Sequence, residues 1–205
     1  EEDVKSRYWN NLGDAYLGKG DDAKAEQCFN TALSLLLVAK KPPLHELARP
    51  YHNLAIIYRN LHQIDKSLEY ELRSIPYRKS DSKDFLSIAR SYLGAGECYF
   101  ELSRYPEALL YLDSALFLQA QALPSRLFSE TADAFAIKAK VMAAQHRFEE
   151  AIVMLDSALY SCGYHKKGNW NVITAPRQFL SAFHQKAALY FSLYDQTRQE
   201  TSLLS

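Results

Sequence analysis

The sequence predicts an all-α fold in which antiparallel helix pairs stack into one solenoid. Three observations predict it: the chain aligns with itself at a regular spacing, the aligned columns hold small or aromatic residues, and turn-forming residues are scarce. Gly and Pro number only seven each among 205 residues, which is too few for a turn-rich all-β fold. Hydrophobic residues make up 48% and aromatic residues 13% of the chain, which is enough for a continuous core.

Internal repeats set the order of the helices. Matching registers begin at Ser6, Ala48, Ala89, Ala132 and Leu180, at spacings of 42, 41, 43 and 48 residues. The fourth position is aromatic in every repeat: Trp9, Tyr51, Tyr92, Phe135, Phe183. The eighth position is Gly or Ala in every repeat: Gly13, Ala55, Gly96, Ala139, Ala187. Small residues let paired helices approach closely, and aromatic residues fill the space between repeats. Residues 1–205 are therefore predicted to form a single solenoid domain, whose fifth repeat lacks its second helix.

Helix-ending residues fit this register. Asp21 and Asp65 are candidate N-caps of second helices, and Pro106 suits the first turn of another. Pro76 falls near the end of a second helix, which it should kink or terminate. The polar insertion at 161–171 predicts an exposed loop. For Trp170 within it, packing against the neighbouring repeat is favoured over anchoring a partner.

One segment carries a family resemblance. The run Trp9-Asn-Asn-Leu12-Gly13-Asp-Ala-Tyr16, followed by Ala25, Phe29 and Ala32, fits the pattern of tetratricopeptide repeats. The chain resembles that family along essentially its whole length. Its period of about 42 residues exceeds the usual 34, as in a long-period subgroup of kinesin light chains, Leu-Gly-Asn-type polarity adaptors and bacterial regulators. The sequence departs from the pattern at three positions where an apolar residue is expected: Glu71, Lys138, Lys186.

The resemblance implies a right-handed superhelix with a groove lined by the first helix of each repeat, at positions 2, 5, 6, 9, 12 and 13. Position 2 holds Arg7, Arg49 and Arg90, and the other candidates are Asn10, Asn11, His52, Asn53 and Arg59. Asparagine can pair with the backbone of an extended peptide, and arginine offers a planar fork to carboxylates. These residues therefore predict a groove for an extended, somewhat acidic peptide. The alternative is that the arginines form surface ion pairs with Asp14, Glu97 and Glu101, which contribute only about 0–1 kcal/mol each.

Composition and motifs argue against several other functions. Lys and Arg together number 24, as do Asp and Glu, so the charge balance favours neither nucleic acid nor a membrane surface. No apolar run approaches the roughly 18 residues needed to span a bilayer. No HExxH, GxGxxG, GxxxxGK[ST] or GxSxG motif occurs, so we expect no enzyme activity, no cofactor and no metal. Three cysteines without CxxC spacing suggest a reducing compartment, the cytoplasm, with a periplasmic sensory domain as the alternative.

The leading functional hypothesis is a scaffold that binds a protein or an extended peptide. The alternative is a regulatory or sensory domain of a larger bacterial protein, because Tyr111-Leu-Asp-Ser-Ala-Leu and Leu155-Asp-Ser-Ala-Leu resemble repeats attached to CHAT-type peptidases, sensor kinases or transcription regulators. The chain ends within a predicted helix, so we expect it to be a piece of a longer protein. A third hypothesis is self-association through exposed end repeats.

Overall fold

In a computed structural model of the chain, the described residues are 2–39, 43–80, 84–122, 129–164 and 175–203. Within these ranges every element is an α-helix, and there are nine of them: α1 Glu2–Gly18, α2 Asp22–Val38, α3 Leu44–Asn60, α4 Ile64–Lys79, α5 Phe85–Glu101, α6 Tyr105–Ala122, α7 Ser129–Ala144, α8 Phe148–Ser161 and α9 Pro176–Leu203. The predicted all-α fold of paired helices is confirmed.

The predicted repeat register stays a prediction, and its starts fall at matching places in the helices. Each predicted repeat start lies three or four residues after the beginning of an odd-numbered helix, so α1, α3, α5, α7 and α9 are the first helices of the five repeats. The even-numbered helices are their partners. α9 has 28 residues, whereas the other helices have between 14 and 18.

The chain divides into two compact units, Glu1–Glu107 and Ala108–Ser205. In the first unit, α1 packs against α2, α3 packs against α1, α2 and α4, and α4 also packs against α5. In the second unit, α7 packs against α8, and α9 packs against both. The expectation that residues 1–205 form one domain stays a prediction.

The turn inside each of the first four repeats has one recurring backbone conformation. A residue with positive φ lies fourteen positions after each repeat start: Gly20, His62, Ser103, His146. Its N–H donates to the carbonyl three residues earlier, and the following N–H donates to the carbonyl five residues earlier. This pair of bonds is the Schellman motif, which satisfies carbonyls at the end of the first helix and starts the second.

The helix-end predictions have mixed outcomes. Asp21 caps α2, because its carboxylate accepts the N–H of Lys24 at 3.2 Å. The Asp65 prediction is wrong, because α4 begins at Ile64 and Asp65 lies inside its first turn. Pro106 is the second residue of α6, as predicted. α4 continues through Pro76 and ends three residues later. Most of the 161–171 insertion, with Trp170, lies outside the described residues.

Buried apolar side chains form a separate cluster in each unit. In the first, Phe29 is fully buried, and a Cβ added to Gly13 would lie 2.5 Å from its ring, which explains why this repeat has Gly at the eighth position. In the second, Leu155 of α8 and Phe179 of α9 belong to one cluster. Tyr51 is buried, as predicted for the fourth-position aromatics, but Phe183 at the same position of the fifth repeat is half exposed.

Two of the three departures from the family pattern have the same structural explanation. Lys138 of α7 forms an ion pair with Asp113 of α6 at 2.5 Å, and Lys186 of α9 forms one with Asp156 of α8. Each lysine is seven residues into its repeat, and each aspartate lies in the second helix of the repeat before. The lysines replace an apolar contact between adjacent repeats with an ionic one.

Candidate peptide-binding site

The predicted site residues lie in the first unit, around a cavity of about 410 Å³. We call it the α3 pocket, and it is lined by Asp14, His45, Glu46, Ala48, Arg49, His52, Asn53, Arg78, Asp84, Ser87 and Arg90. α3 supplies most of the lining because its residues 45, 46, 49, 52 and 53 recur at helical spacing and share one face.

Asp14 connects α1 to α3 at the edge of this pocket. The Arg49 guanidinium forms an ion pair with the Asp14 carboxylate, and the Asn53 Nδ2 donates to Asp14 Oδ1 at 2.6 Å. Arg49 and Asn53 are one helical turn apart, so a single carboxylate on α1 orients both. The arrangement fixes the direction of a cation and an amide that could otherwise rotate freely.

His52 and Glu71 form a buried pair beneath the pocket. Glu71 has no exposed surface, and both its carboxylate oxygens lie near His52 Nδ1, at 2.9 and 3.0 Å. When Glu71 is ionised it can only accept, so Nδ1 carries the shared proton. Gly94 of α5 makes room for this carboxylate, because a Cβ there would lie 2.2 Å from Glu71 Oε1. This contact explains the third departure from the family pattern.

Glu71 belongs to a buried polar row along α4, which we call the α4 seam: Ser67, Glu71, Ser74 and Arg78. Ser67 Oγ donates to the carbonyl of Ala55 at 2.8 Å, and Ser74 Oγ lies 2.6 Å from Ser91 Oγ of α5. Spacings of four, three and four residues place all four side chains on one face of α4.

Arg78 ends the α4 seam and lines the α3 pocket. Arg78 as a whole is 8% exposed, and its Nε atom is buried without a hydrogen-bond partner. Burial lowers the pKa of its guanidinium to about 10. The positive charge of Arg90 lowers this pKa further, whereas the negative charges of Glu71 and Asp84 raise it. Among the described residues none forms a hydrogen bond or ion pair with the guanidinium of Arg78.

The eight predicted site residues fall into three groups. Four line the α3 pocket: Arg49, His52, Asn53 and Arg90. Three lie outside it on the same first helices: Arg7, whose Nε is 3.5 Å from the Glu46 carboxylate, Asn11, which is exposed, and Arg59, whose Nη1 is 2.8 Å from Glu97.

The remaining one, Asn10, has no exposed surface, and neither atom of its amide group has a hydrogen-bond partner among the described residues. In this structure Asn10 is therefore inaccessible to a peptide on the surface. We give the name polar face to a set of residues on α1, α3 and α5: Arg7, Asn11, Asp14, Arg49, His52, Asn53 and Arg90.

The ion pairs expected under the alternative interpretation do form for Arg49 with Asp14 and for Arg59 with Glu97. The Arg49 and Asp14 side chains are 46% and 39% exposed, and pairs of this exposure contribute about 0–1 kcal/mol. Such a pair can open when a better partner arrives. The pairs therefore do not decide between a binding surface and an ordinary solvated one.

Arg78 is one of the pocket residues that the sequence did not predict. An arginine in the last turn of a second helix is typical of a solvated helix end, where its positive charge interacts favourably with the helix dipole. The sequence did contain one indication, the charged residue Glu71 in a column of the repeats where an apolar residue is expected. Arg78 follows Glu71 by two turns on the same face of α4, so it shares this buried position. Asp84 was also missed; it is the N-cap of α5, accepting the Ser87 N–H at 3.0 Å.

Other kinds of site have no support within the described ranges. In that part of the chain, no three His, Cys, Asp or Glu side chains converge as metal ligands, and no helix has the length and apolar character needed to cross a membrane. Cys28, Cys98 and Cys162 are buried free thiols. Burial raises the pKa of Cys98 and of Cys162 to about 11, which keeps both protonated and unreactive at neutral pH.

Comparisons with known proteins agree with this architecture. Residues 5–80 match a family model described as tetratricopeptide repeat. No curated protein is significantly similar to the sequence.

Similar solved structures include a putative kinesin light chain from Podosopora anserina, with 16% identity and a TM-score of 0.74 over all of this chain and 92% of that one. BtubC from P. vanneervenii has 20% identity and a TM-score of 0.73 over 93% of this chain and 73% of its own. The apo form of RapI has 20% identity and a TM-score of 0.70 over 80% of this chain and 57% of its own. At these identities the likeness establishes the fold alone.

Proposed function

We propose that this chain, whose residues 5–80 match the tetratricopeptide repeat family, is a binding module for an extended, acidic segment of a protein partner. The segment lies along the polar face of α1, α3 and α5. The observation that carries this proposal is the α3 pocket, whose lining includes three arginines, Arg49, Arg78 and Arg90, together with Asn53.

The chemistry of the polar face suits a peptide in extended conformation. Asn11 is exposed on α1, and Asn53 lies at the equivalent position of the next repeat on α3, so the two amides are placed to bond peptide groups some distance apart. An asparagine amide both donates and accepts, as does a peptide group. The arginines add charge-assisted hydrogen bonds to carboxylates, which are stronger than neutral ones.

The direct test uses Asn11→Ala. Random dodecapeptides are selected on the full chain, and their affinity is measured by fluorescence anisotropy. We expect Asn11→Ala to weaken the selected peptides about tenfold, the loss of one or two hydrogen bonds to the ligand. Asn30→Ala is the matched control, because Asn30 is also an exposed helical asparagine, but on α2. Equal affinities for both variants and the wild type would place the peptides elsewhere.

Two other substitutions need care. Arg49→Glu would bring a second carboxylate against Asp14, and Asn53→Ala would remove the amide that donates to it. Each would change the stability of the α1–α3 contact as well as any binding. Arg49→Gln keeps a donor beside Asp14, and it is the better test of the charge of this residue.

Self-association is a second proposed activity, and α9 favours it. Five large apolar residues there are 50–72% exposed: Leu180, Phe183, Tyr190, Phe191 and Tyr194. A mainly apolar cavity of about 280 Å³ lies between α8 and α9, lined in part by Leu159, Tyr164 and Phe183. A surface of this kind suits contact with another apolar surface, for which a second copy of the chain is the simplest source.

The same peptide-binding activity would serve a regulatory region of a larger bacterial protein, as the LDSAL-containing repeats suggest. We keep this as a separate proposal, tested by reading the gene beyond codon 205 for a caspase-like peptidase, kinase or helix-turn-helix domain.

The buried free thiols support the cytoplasm as the compartment, since they are kept reduced there.

A further inference from the structure

We propose that Arg78 is the specificity-determining residue of the α3 pocket, where its guanidinium binds one carboxylate group of the partner peptide. This inference rests on the proposed function and deepens it. It adds a residue from a second helix to a surface otherwise built from first helices, and it names the chemical group that the pocket selects.

The Arg78 guanidinium is a charged group that is largely buried. A buried charge without a partner is costly, so native proteins pair such groups or bind something to them. Arg78 is 8% exposed, its Nε has no hydrogen-bond partner, and the side chain lines the pocket. The Nε–H donor of Arg78 is therefore buried beside the pocket without an acceptor in the described part of the protein.

The carboxylates near Arg78 form hydrogen bonds or ion pairs with other residues. Glu71 is engaged by His52, and Asp84 caps α5 by accepting from Ser87. Around the pocket edge, Asp14 is paired with Arg49 and Glu46 with Arg7. Glu71 and Asp84 attract Arg78 at longer range but do not bond to it. The Arg78 guanidinium thus has charged neighbours but no bonded acceptor among the described residues, and a ligand carboxylate would supply one.

The residues that line the pocket favour one kind of anion. A guanidinium binds carboxylate and phosphate through the same planar fork. Three carboxylates, Asp14, Glu46 and Asp84, also line the pocket and would repel a dianionic phosphate more strongly than a monoanion. The volume of about 410 Å³ is ample for an acidic side chain or a chain terminus. The geometry therefore favours a single carboxylate.

The test titrates the full chain with three small probes of nearly the same shape. N-acetylglutamic acid α-amide carries a side-chain carboxylate, N-acetylglutamine carries a terminal carboxylate, and N-acetylglutamine amide carries neither. The Nε–Hε resonance of Arg78, assigned with an Arg78→Lys variant, reports binding by NMR. We expect one or both acids to shift it saturably, and the stronger one identifies the source of the carboxylate. An unmoved resonance, an equal shift with the neutral amide, or a larger shift with inorganic phosphate would overturn the proposal.

Variants then connect Arg78 to peptide binding. Arg78→Met should weaken the selected dodecapeptides about tenfold or more, and Arg78→Lys should restore only part, because an ammonium lacks the planar fork. Arg73→Met is the matched control, since Arg73 is an exposed arginine on another face of α4. Melting temperatures show whether each variant folds. Dodecapeptides that bind Arg78→Met as well as wild type would refute this inference alone; dodecapeptides insensitive to Asn11→Ala would refute the polar face and leave the Arg78 site standing.

Discussion

Glu71 shows how one residue organises the contact between repeats two and three. A fully buried carboxylate is tolerated only with hydrogen-bond partners, and His52 supplies them from α3. The carboxylate also needs space, which the missing side chain of Gly94 gives on α5. Three helices are therefore matched to one another through a single buried acid. Because His52 lines the α3 pocket, this packing also fixes part of the pocket wall.

Gly94→Ala tests that contact. The added methyl would lie 2.2 Å from Glu71 Oε1, so the buried pair must shift or break. We expect the free energy of unfolding, from urea denaturation, to fall by about 2–4 kcal/mol. Gly18→Ala is the control, because no atom lies within 4 Å of a Cβ there, and it should be neutral or stabilising by up to about 1 kcal/mol. A Gly94→Ala protein as stable as wild type would show that the seam is not tightly packed.

At this scale the sequence revealed a departure but not its reason. Glu71 stands out in an apolar column of the repeat alignment. Its partners come from two other helices, His52 from the first helix of the same repeat and Gly94 from the next repeat, and a single sequence has no signal that pairs them. Arg78 escaped prediction for the same reason, since its burial depends on how α5 packs against α4.

At the scale of elements, the turns between paired helices repeat one conformation. Gly20, His62, Ser103 and His146 have φ values of 76°, 57°, 58° and 59°. Only glycine adopts this region without steric cost, so three of the four turns contain a disfavoured residue.

Replacing two of the three exposed non-glycine residues, His62→Gly and Ser103→Gly, should therefore stabilise the chain, each by about 0.5–1 kcal/mol. The opposite change, Gly20→Ala, should destabilise it by about 1 kcal/mol. Thermal unfolding followed by circular dichroism measures both. A loss of stability on introducing glycine would mean that these side chains make contacts worth more than the backbone strain.

The ion pairs between adjacent repeats make a second element-scale prediction. Lys186 is 19% exposed and Asp156 is 44% exposed, so their contact is only partly screened by water. A double-mutant cycle with Lys186→Met and Asp156→Asn should give a coupling of about 0.5–1 kcal/mol. The exposed i,i+4 pair Arg73–Glu69 serves as a reference, with an expected coupling below about 0.5 kcal/mol. Equal couplings would mean that the inter-repeat pairs add no specificity.

The order of the helices could be predicted from the sequence because the same pattern of residues recurs several times along the chain. Each predicted start fell inside the first turns of an odd-numbered helix. Helix ends were less predictable where the stop signal lies in the backbone. Gln63, rather than Asp65, precedes α4, because the Schellman turn at His62 sets that boundary without a side-chain cap.

For the whole molecule, the exposed aromatic residues of α9 predict concentration-dependent self-association. Light scattering across a dilution series should give a rising mass for the wild type. Phe191→Ser should reduce it, because Phe191 is 72% exposed on α9. Phe117→Ser is the control, since Phe117 is 63% exposed on α6 and should leave the association unchanged. A strictly monomeric wild-type chain at high concentration would rule the association out.

The central claim is that a peptide binds the polar face of α1, α3 and α5, and mapping backbone amide shifts tests it most directly. A selected dodecapeptide is added to the isotopically labelled full chain, and the amides that move are assigned. We expect the largest shifts on those helices, at Asn11, Arg49, Asn53 and Arg90, and at Arg78 on α4. Shifts confined to α9 and α8 would contradict it.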